Sequence, residues 1–545
     1  MSTTALARRL ARRTAAAVGR RARSSGTAAA AAGCPFHRAG VAALEPTAHR
    51  SAGAESWSGA QEFAVAKKSS HARKPFASLP RPQGLPVLGT ALDVLRAGGA
   101  PKIHEYCDRR HRELGPIYRE TLGSVDAVFV ADSALIQKVY TNEGKFPMHM
   151  VPEPWLIYNE VKGIQRGLFF MDGPEWIDRR RSLNNVFLKT KTVTDNVPVF
   201  NDVITDLLNR WQEARNDEGI LENVERELYN WSIESLGAMI FGRRLGCIAH
   251  SSSMDNVHEF VHCVQQIFNE SAKMSMFSPR LAYRLRLPVW RRFVRAAGRA
   301  LELARDYVEE NVKAIAKDPS STAQHNQGIL SQLLLNEKIS EDELVRIVTD
   351  LFLAAADTTS HATQWALYLL AKHPEQQERL LDSVRSVVPA GQSISEESLA
   401  RLPYVKAVIR EALRLYPVAP FLTRILSEDI VLDGYHIPAG KLILMSLYTT
   451  GRDPQHFSDP HTFRPERWLR DQDRAGQVNS WACLPFGLGV RSCIGRRVAE
   501  VQMQFLIART VQRFQLAPST DRDVQIKMRL ITTPEEPISL RMTPR

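Results

Sequence analysis

Long apolar runs are missing from this 545-residue chain. No stretch approaches the ~20 apolar residues that cross a bilayer, so no membrane-spanning helix is expected. Paired cysteines are missing too. The six cysteines (Cys34, Cys107, Cys247, Cys263, Cys483 and Cys493) form no CxxC pair and keep no regular spacing. That argues against a disulfide framework or a zinc site and for a reducing compartment. No internal repeat is visible. Acidic residues are absent before Glu45, where eight arginines stand: Arg8, Arg9, Arg12, Arg13, Arg20, Arg21, Arg23 and Arg38. Without them about +4 of the formal +12 remains, so the charge does not imply a nucleic-acid partner.

What is present begins with that leader. Residues 1–44 are rich in Arg, Ala and Ser without a continuous apolar core, the composition of a mitochondrial presequence rather than a secretory signal. A disordered basic arm is the plainer alternative. Residues 45–74 are expected to form a flexible lead-in, with the cut between Arg23 and Lys74. This predicts a mitochondrial matrix protein, attached at most peripherally to the inner membrane. Pro75, Pro80, Pro82 and Pro86, ending in Gly89, forbid helix and predict an extended entry. Strand-like runs follow at Ile117–Thr121 and Ala127–Ala131. Helical spacing then dominates, in Val197–Arg215, Leu228–Phe241 and Arg292–Ala316. Short strands return at Ile430–Leu432, Leu442–Met445 and Ile538–Arg541. The expected fold is one domain over 75–545, mainly α with small peripheral β-sheets (α+β).

The most informative stretch is Phe486-Gly-Leu-Gly-Val-Arg-Ser-Cys-Ile-Gly495. A free cysteine is more often a small buried hydrophobe than a ligand. Here Gly487, Gly489 and Gly495 let the backbone pass close to a flat macrocycle. Loop N–H groups and the start of a Val498–Phe514 helix can steady a negative sulfur. Arg491 can pair with a heme propionate. Cysteine thiolate is the axial ligand that favours O–O cleavage. This decapeptide resembles the heme-binding signature of the cytochrome P450 family. The resemblance implies heme b held by Cys493 as its metal ligand, with Phe486, Arg491 and Gly495 at cofactor-binding positions.

Other motifs bear on the same cofactor. Glu411 and Arg414 lie three apart, on one face of a helix over Tyr404–Tyr416 that Pro417 stops. Arg467 follows in Phe463-Arg-Pro-Glu-Arg-Trp468. Taken alone, Glu411 and Arg414 read as a surface pair. The resemblance implies that the three form a buried ion network bracing the cysteine loop. Ala354-Ala-Ala-Asp357-Thr358-Thr359 lies inside a helical pattern over Glu341–Lys372. Its alanines leave room for a flat cofactor and dioxygen, and Asp357 beside Thr358 offers the parts of a proton relay. Such a pair in isolation is usually solvated or back-bonded. The segment resembles the family's acid–alcohol motif, except that glycine is usual where Ala355 stands, which predicts a slightly narrower groove. Trp176 and Arg180, four apart, can both donate to carboxylate oxygens. They resemble the family's WxxxR pair on heme propionates, although Trp176 also reads as a core anchor. Arg424, in Pro420-Phe-Leu-Thr-Arg424, resembles another propionate-binding arginine.

Lys406 and Arg410 stand one turn apart on the helix of Glu411, on rows roughly 100–140° away from it, so both can face outward. With Arg496 and Arg497 they form a basic patch that can guide an acidic electron donor, or simply a solvated face. Mitochondrial family members take electrons from an acidic [2Fe–2S] ferredoxin fed by an NADPH reductase, and Lys406 and Arg410 match their docking positions.

The resemblance covers almost everything from Pro75 onward. Glu153-Pro-Trp155 and Arg166–Gly173 look like mitochondrial steroid hydroxylases. Trp231–Glu234, Arg286–Trp290, Arg414–Phe421 and Ser446–Pro454 are most similar to arthropod members that hydroxylate carbon 2 of an ecdysteroid. Carbon 20 or 22, or another steroid, are the alternatives. A heme protein that does not activate dioxygen is a different class, against which Thr358 and the basic patch argue. The resemblance implies that Trp155, Phe169, Phe268, Ala354, Val418, Phe421 and Ile531 surround the substrate space, where the large ones offer apolar walls. Gln265, Asn269 and Thr532 are candidate hydrogen-bonding groups for a sterol hydroxyl or ketone. Each aromatic reads as readily as core.

Overall fold

The computed structural model describes residues 73–545 apart from 85–88, 124, 165–166, 249–253, 276–277, 318–327, 335–338, 390–391, 393 and 470–477. The basic leader, nearly all of the lead-in, and Arg166 therefore lie outside the described residues.

The proline-rich entry holds one turn that proline density was expected to forbid. Phe76–Ser78 is a 3-10 turn, closed by the Ser78 N–H donating to Pro75 O at 3.0 Å. Proline lacks a donor but keeps its carbonyl, so it can start such a turn. The entry then runs beside the sheet, where Arg119 N–H donates to Pro80 O at 2.9 Å.

Alternating burial makes the first strands. β1 (Ile117–Leu122) and β2 (Val125–Val130) pair antiparallel, with Ile117 opposite Val130. They join two strands that come late in the chain. These are β4 (Phe421–Ile425) and β7 (Leu442–Ser446), in the order β1-β2-β7-β4 with β2 and β7 parallel. Smaller sheets take the remaining strands. β3 (Ile220–Leu221), β11 (Leu540–Pro544) and β8 (Phe514–Pro518) form one. β5 (Ile430–Leu432) pairs with β6 (Tyr435–Ile437), and β9 (Ile526–Met528) with β10 (Thr532–Pro534). The last long strand starts two residues later than its apolar pattern suggests, because pairing with β8 begins at Leu540 opposite Pro518. In the β9–β10 turn, Leu530 takes φ +75° while Arg529 N–H donates to Ile531 O at 2.8 Å. A bulky side chain in that region costs on the order of 1 kcal/mol.

The helices that carry the site are α1 (Gly173–Phe187), α2 (Val197–Ala214), α3 (Val224–Phe241), α4 (Met254–Ser275), α5 (Pro288–Lys317), α6 (Glu341–Lys372), α7 (Pro403–Leu415) and α8 (Arg496–Arg513). The spacing of apolar residues anticipated α2 and α6 closely. α8 starts two residues earlier than predicted, immediately after Gly495. α6 packs against α3, α5, α7 and α8, and Trp365 stacks on Tyr416 at 4.0 Å, just beyond the end of α7. α3 is buried on nearly every side, as a helix enclosed by others must be.

The start of α6 is fixed by a reciprocal cap. Glu343 N–H donates to Ser340 Oγ at 3.2 Å, and Ser340 N–H donates to Glu343 Oε2 at 3.0 Å. Glu343 Oε1 also takes Arg179 Nε at 2.6 Å, which ties α6 to α1. Ser340→Ala should lower stability by about 1 kcal/mol, read as a fall in the urea midpoint. An unchanged midpoint would show that the cap contributes nothing.

Candidate active site

The cysteine loop is a tight hairpin. Cys493 N–H donates to Phe486 O at 2.8 Å, and Ser492 N–H to Gly489 O at 3.1 Å. Gly487 and Gly489 carry φ +65° and +73°, a region where glycine is the easy choice. Cys493 is accessible by surface area, yet burial is the largest influence on its thiol and raises its pKa. The Gly495 N–H, Arg180 and Arg496 oppose that rise. Both descriptions hold for a sulfur on the floor of a recess walled by protein.

Beside the sulfur lies a cluster of buried arginines. Arg180 donates to Ser492 O at 2.5 Å and its Nε has no partner. Arg491 lies 3.8 Å over the Trp176 ring, donates to Met171 O at 3.0 Å and pairs with Asp172. Arg424 donates to Glu143 Oε2 at 2.6 Å and lies over Tyr140. Burial first, then Asp172 opposing and Arg424 and Arg180 assisting, lowers Arg491 to about 10. His149 is pushed down to about 3, chiefly by burial and then by Arg491 and Arg424. This is a strongly cationic pocket next to a cysteine, with an unpartnered guanidinium nitrogen. Its chemistry suits a flat cofactor carrying carboxylate tails, so these residues fit heme. Trp176, Arg180, Arg424 and Arg491 are all drawn together here. The indole face of Trp176 serves Arg491, so Trp176 is both core anchor and part of the cluster.

On α7, Glu411 and Arg414 are buried side chains, and Glu411 is saturated. Arg414 donates to its two oxygens at 2.9 and 2.7 Å, Arg467 Nε at 3.0 Å, Trp468 Nε1 at 2.9 Å and the Arg464 N–H at 3.0 Å. Arg414 also donates to the carbonyls of Gly451 and Pro460 at 2.6 and 2.5 Å. A Cβ at Gly451 would stand 2.9 Å from Arg414 O, so that approach needs glycine. Cys483 lies within electrostatic reach of this network; its pKa rises to about 12, chiefly by burial, with Glu411 adding to the rise and Arg414 and Arg410 opposing it.

On α6, Ala354 is exposed and Thr358 half-buried, one turn apart on one face, while Ala356 and Asp357 turn inward. The Thr358 hydroxyl donates to Ala354 O at 2.7 Å. Ala355 O accepts the Ser232 hydroxyl from α3 at 3.1 Å. Asp357 is raised to about 6, first by burial and partly relieved by His361.

The apolar candidates divide. Val418 and Ile531 belong to the main core's edge, and Thr532 N–H donates to Val418 O at 2.9 Å. Phe421 is half-buried in β4 and Phe268 half-buried on α4. Phe169 is half-exposed, edge-on to His149 and Phe170. Its turn can approach α6 because a Cβ at Gly167 would coincide with the Asp350 carboxylate. Trp155 is a core residue, packed against Phe170 and Phe293 and only 7% exposed. Two polar expectations need correction. The Thr532 hydroxyl is fully buried and donates to Pro417 O at 2.7 Å, so it cannot donate to a ligand. Gln265 Nε2 donates to Glu225 at 3.2 Å, in a separate cleft. A small apolar void of about 40 Å³ among Ile233, Phe260, Tyr307 and Phe352 shares no residue with the site, and we regard it as a packing gap.

Lys406 and Arg410 are exposed on α7, opposite its buried face, and form no ion pair among the described residues. Arg496 pairs with Glu500 at 3.1 Å, and Arg497 donates to Leu188 O at 2.5 Å. Arg497 is exposed and its partners are neutral, so Lys406, Arg410 and Arg497 share the outward charge, while that of Arg496 is compensated. Sequence reasoning missed Glu143, Asp172, His149, His361 and Glu225. The partners of Glu143, Asp172, His149 and Glu225 lie far along the chain, and no local spacing announces them. The i, i+4 step from Asp357 to His361 was the one legible signal.

A family model described as Cytochrome P450 matches residues 79–542. The chain is 37% identical over 488 residues to cytochrome P450 315a1, mitochondrial, of Drosophila melanogaster, covering 86% of this chain and 89% of that one. It is 30% identical over 468 residues to the mitochondrial 1,25-dihydroxyvitamin D(3) 24-hydroxylase of Rattus norvegicus, with coverage of 86% and 89%. It is also 32% identical over 480 residues to the mitochondrial sterol 26-hydroxylase of the same organism, again covering 86% and 89%.

Burial alone raises the Glu411 pKa, but Arg414, then Arg467 and the Arg464 N–H, outweigh it and hold the carboxyl below its ordinary value. Its stabilisation is therefore complete above the unfolded carboxylate pKa of ~4.3 and is lost as pH falls through the lower folded value. Glu411→Gln should cost about 3 kcal/mol at neutral pH by leaving buried guanidinium charge unbalanced. The gap between wild type and variant, measured by urea unfolding, should shrink as pH drops below about 4. A gap independent of pH would place the carboxylate's contribution elsewhere.

Proposed function

The chain belongs to the cytochrome P450 family, and on that premise we propose that it is a mitochondrial steroid hydroxylase acting at carbon 2 of an ecdysteroid, converting 2-deoxyecdysone to ecdysone. The observation that carries the monooxygenase reading is the recessed Cys493 beside the Arg180–Arg424–Arg491 cluster. The family's cofactor is heme b with an axial cysteine thiolate. When bound, it supplies dioxygen binding and transfer of one oxygen atom into a C–H bond. The chain's own residues set the conditions. Cys493 holds the metal, while Arg180, Arg424, Arg491 and Trp176 bind the carboxylate tails, with Phe486 and Gly495 shaping the loop. Glu411, Arg414 and Arg467 keep the support of that loop rigid. Ala354 leaves space on the α6 face, and Asp357 holds a proton for Thr358 to donate. Val418, Phe421, Phe268, Phe169 and Ile531 exclude water around an apolar ring system, and Trp155 backs that wall.

The substrate class is supported by the sterol and vitamin D relatives, and the carbon-2 assignment by the sequence stretches resembling the arthropod enzyme called Shadow. The word mitochondrial in those relatives' names supports the compartment, with the matrix side of the inner membrane as the proposed location. Electrons come in this reading from a [2Fe–2S] ferredoxin docking at Lys406 and Arg410, reduced by an NADPH reductase. Hydroxylation at carbon 20 or 22, or of another steroid, is the second reading, favoured by the spread of substrates in those names.

Reconstitution with ferredoxin, its reductase, NADPH and either ketodiol or 2-deoxyecdysone separates these readings. We expect a product carrying a new 2-hydroxyl; a product lacking it sinks the carbon-2 assignment. A non-oxygenase would instead keep its thiolate–carbonyl spectrum and turn over no steroid. Lys406→Glu with Arg410→Glu should raise the KM for ferredoxin by about 10-fold at low salt and less at high salt. An unchanged KM would remove this face from the docking surface.

A further inference from the structure

Asp357 is buried, so its protons must arrive through something. Its side chain points away from the exposed Ala354 face and toward α3. One turn along α6, His361 is also buried, at 1% exposure. Its Nδ1 lies 2.7 Å from Asp357 O and 3.7 Å from Asp357 Oδ1. Its Nε2 lacks a hydrogen-bond partner and stands 3.7 Å from Oε1 of Glu225, in the first turn of α3. Glu225 keeps 23% of its side chain exposed. It opens on a polar cleft of about 550 Å³, lined also by Arg226, His262, Gln265 and Arg529. From cleft to α6 the order is therefore one half-open carboxylate, one enclosed imidazole and one enclosed carboxylate.

We propose that Glu225 and His361 form a proton-entry route from this cleft to Asp357. The proposal rests on the monooxygenase reading and deepens it. Each transfer moves one proton inward and no electron: Nε2 takes a proton from Glu225 as Nδ1 releases one to Asp357. A water-assisted shift of the ring proton from Nε2 back to Nδ1 restores the starting tautomer, and water in the cleft reprotonates Glu225. Both 3.7 Å gaps close with a small side-chain rotation or one bridging water. His361 and Glu225 are positioning residues, since neither touches substrate.

The charged and titratable groups around the imidazole come from every element packed on it. Asp357 lies on its own helix, Glu225 and the Tyr229 ring (edge-on at 5.7 Å) on α3, and Arg529 on the β9–β10 turn. Gln265 of α4 reaches the route only by holding Glu225. Burial alone lowers the His361 pKa, but Asp357 and Glu225 outweigh it and raise the value. Asp357 is brought up to about 6.

The test uses the full heme-loaded protein and the variants Glu225→Gln and His361→Gln. The first readout involves no turnover. In the diamagnetic ferrous carbonyl form with labelled histidine, the ring signal missing from His361→Gln is followed against pH. Its midpoint should fall in Glu225→Gln, because a stabilising negative charge is gone. In the second readout, hydrogen peroxide released per product formed should rise about 10-fold in both variants, with substrate affinity unchanged. A normal midpoint together with wild-type coupling in Glu225→Gln overturns the route; if His361→Gln fails to fold and the signal stays unassigned, wild-type coupling in Glu225→Gln alone overturns it. If no steroid is hydroxylated at all, the midpoint still reports whether the carboxylate and the ring are coupled, so the two failures are distinguishable.

Discussion

One carboxylate, Glu411, holds α7 and the irregular segment that follows it, residues 451–468, in register. It accepts from two arginine side chains, an indole and a backbone N–H. Five donors on two oxygens leave no lone-pair direction free. Such a group tolerates little displacement, because each donor that drifts away becomes a buried unsatisfied charge or N–H. The arginines then spread the constraint. Arg414 reaches the carbonyls of Gly451, Pro460 and Thr462, and Arg467 that of Ser458. An irregular segment with little regular hydrogen bonding of its own is thereby fixed to α7.

The cationic cluster near Cys493 follows a different logic. Its arginines are paired or stacked without being saturated: Arg491 rests on Trp176 and Asp172, and Arg424 on Glu143 and Tyr140. Asp172 and Glu143 keep the guanidinium groups oriented. A partially compensated cluster remains able to bind carboxylates, whereas a fully compensated one would not. The saturated network and the unsaturated cluster thus divide rigidity from affinity.

The Glu411–Arg414–Arg467 set was legible only through its resemblance to the family's motifs, since Glu411 and Arg414 taken alone read as a surface pair. Helices such as α2 and α6 were legible because their apolar spacing persists over many turns. Asp172 and Glu143 were not, since each meets an arginine separated from it by hundreds of residues. Thr532 was misread for a related reason. A hydroxyl near a pocket looks like a ligand donor until the carbonyl of Pro417 claims it. Trp155 shows the limit for aromatics: its composition and neighbourhood in sequence are the same whether it faces Phe293 or a substrate.

The strained turn at Leu530 joins two surfaces that chemistry keeps apart. Arg529 on one side contributes charge at Asp357 and Glu225, and Ile531 on the other packs beside Val418. The positive φ between them leaves the turn few alternative shapes. The turn therefore stands where the edge of the main core meets the acidic groups of α3 and α6, and its shape sets how near the Arg529 charge lies to both carboxylates.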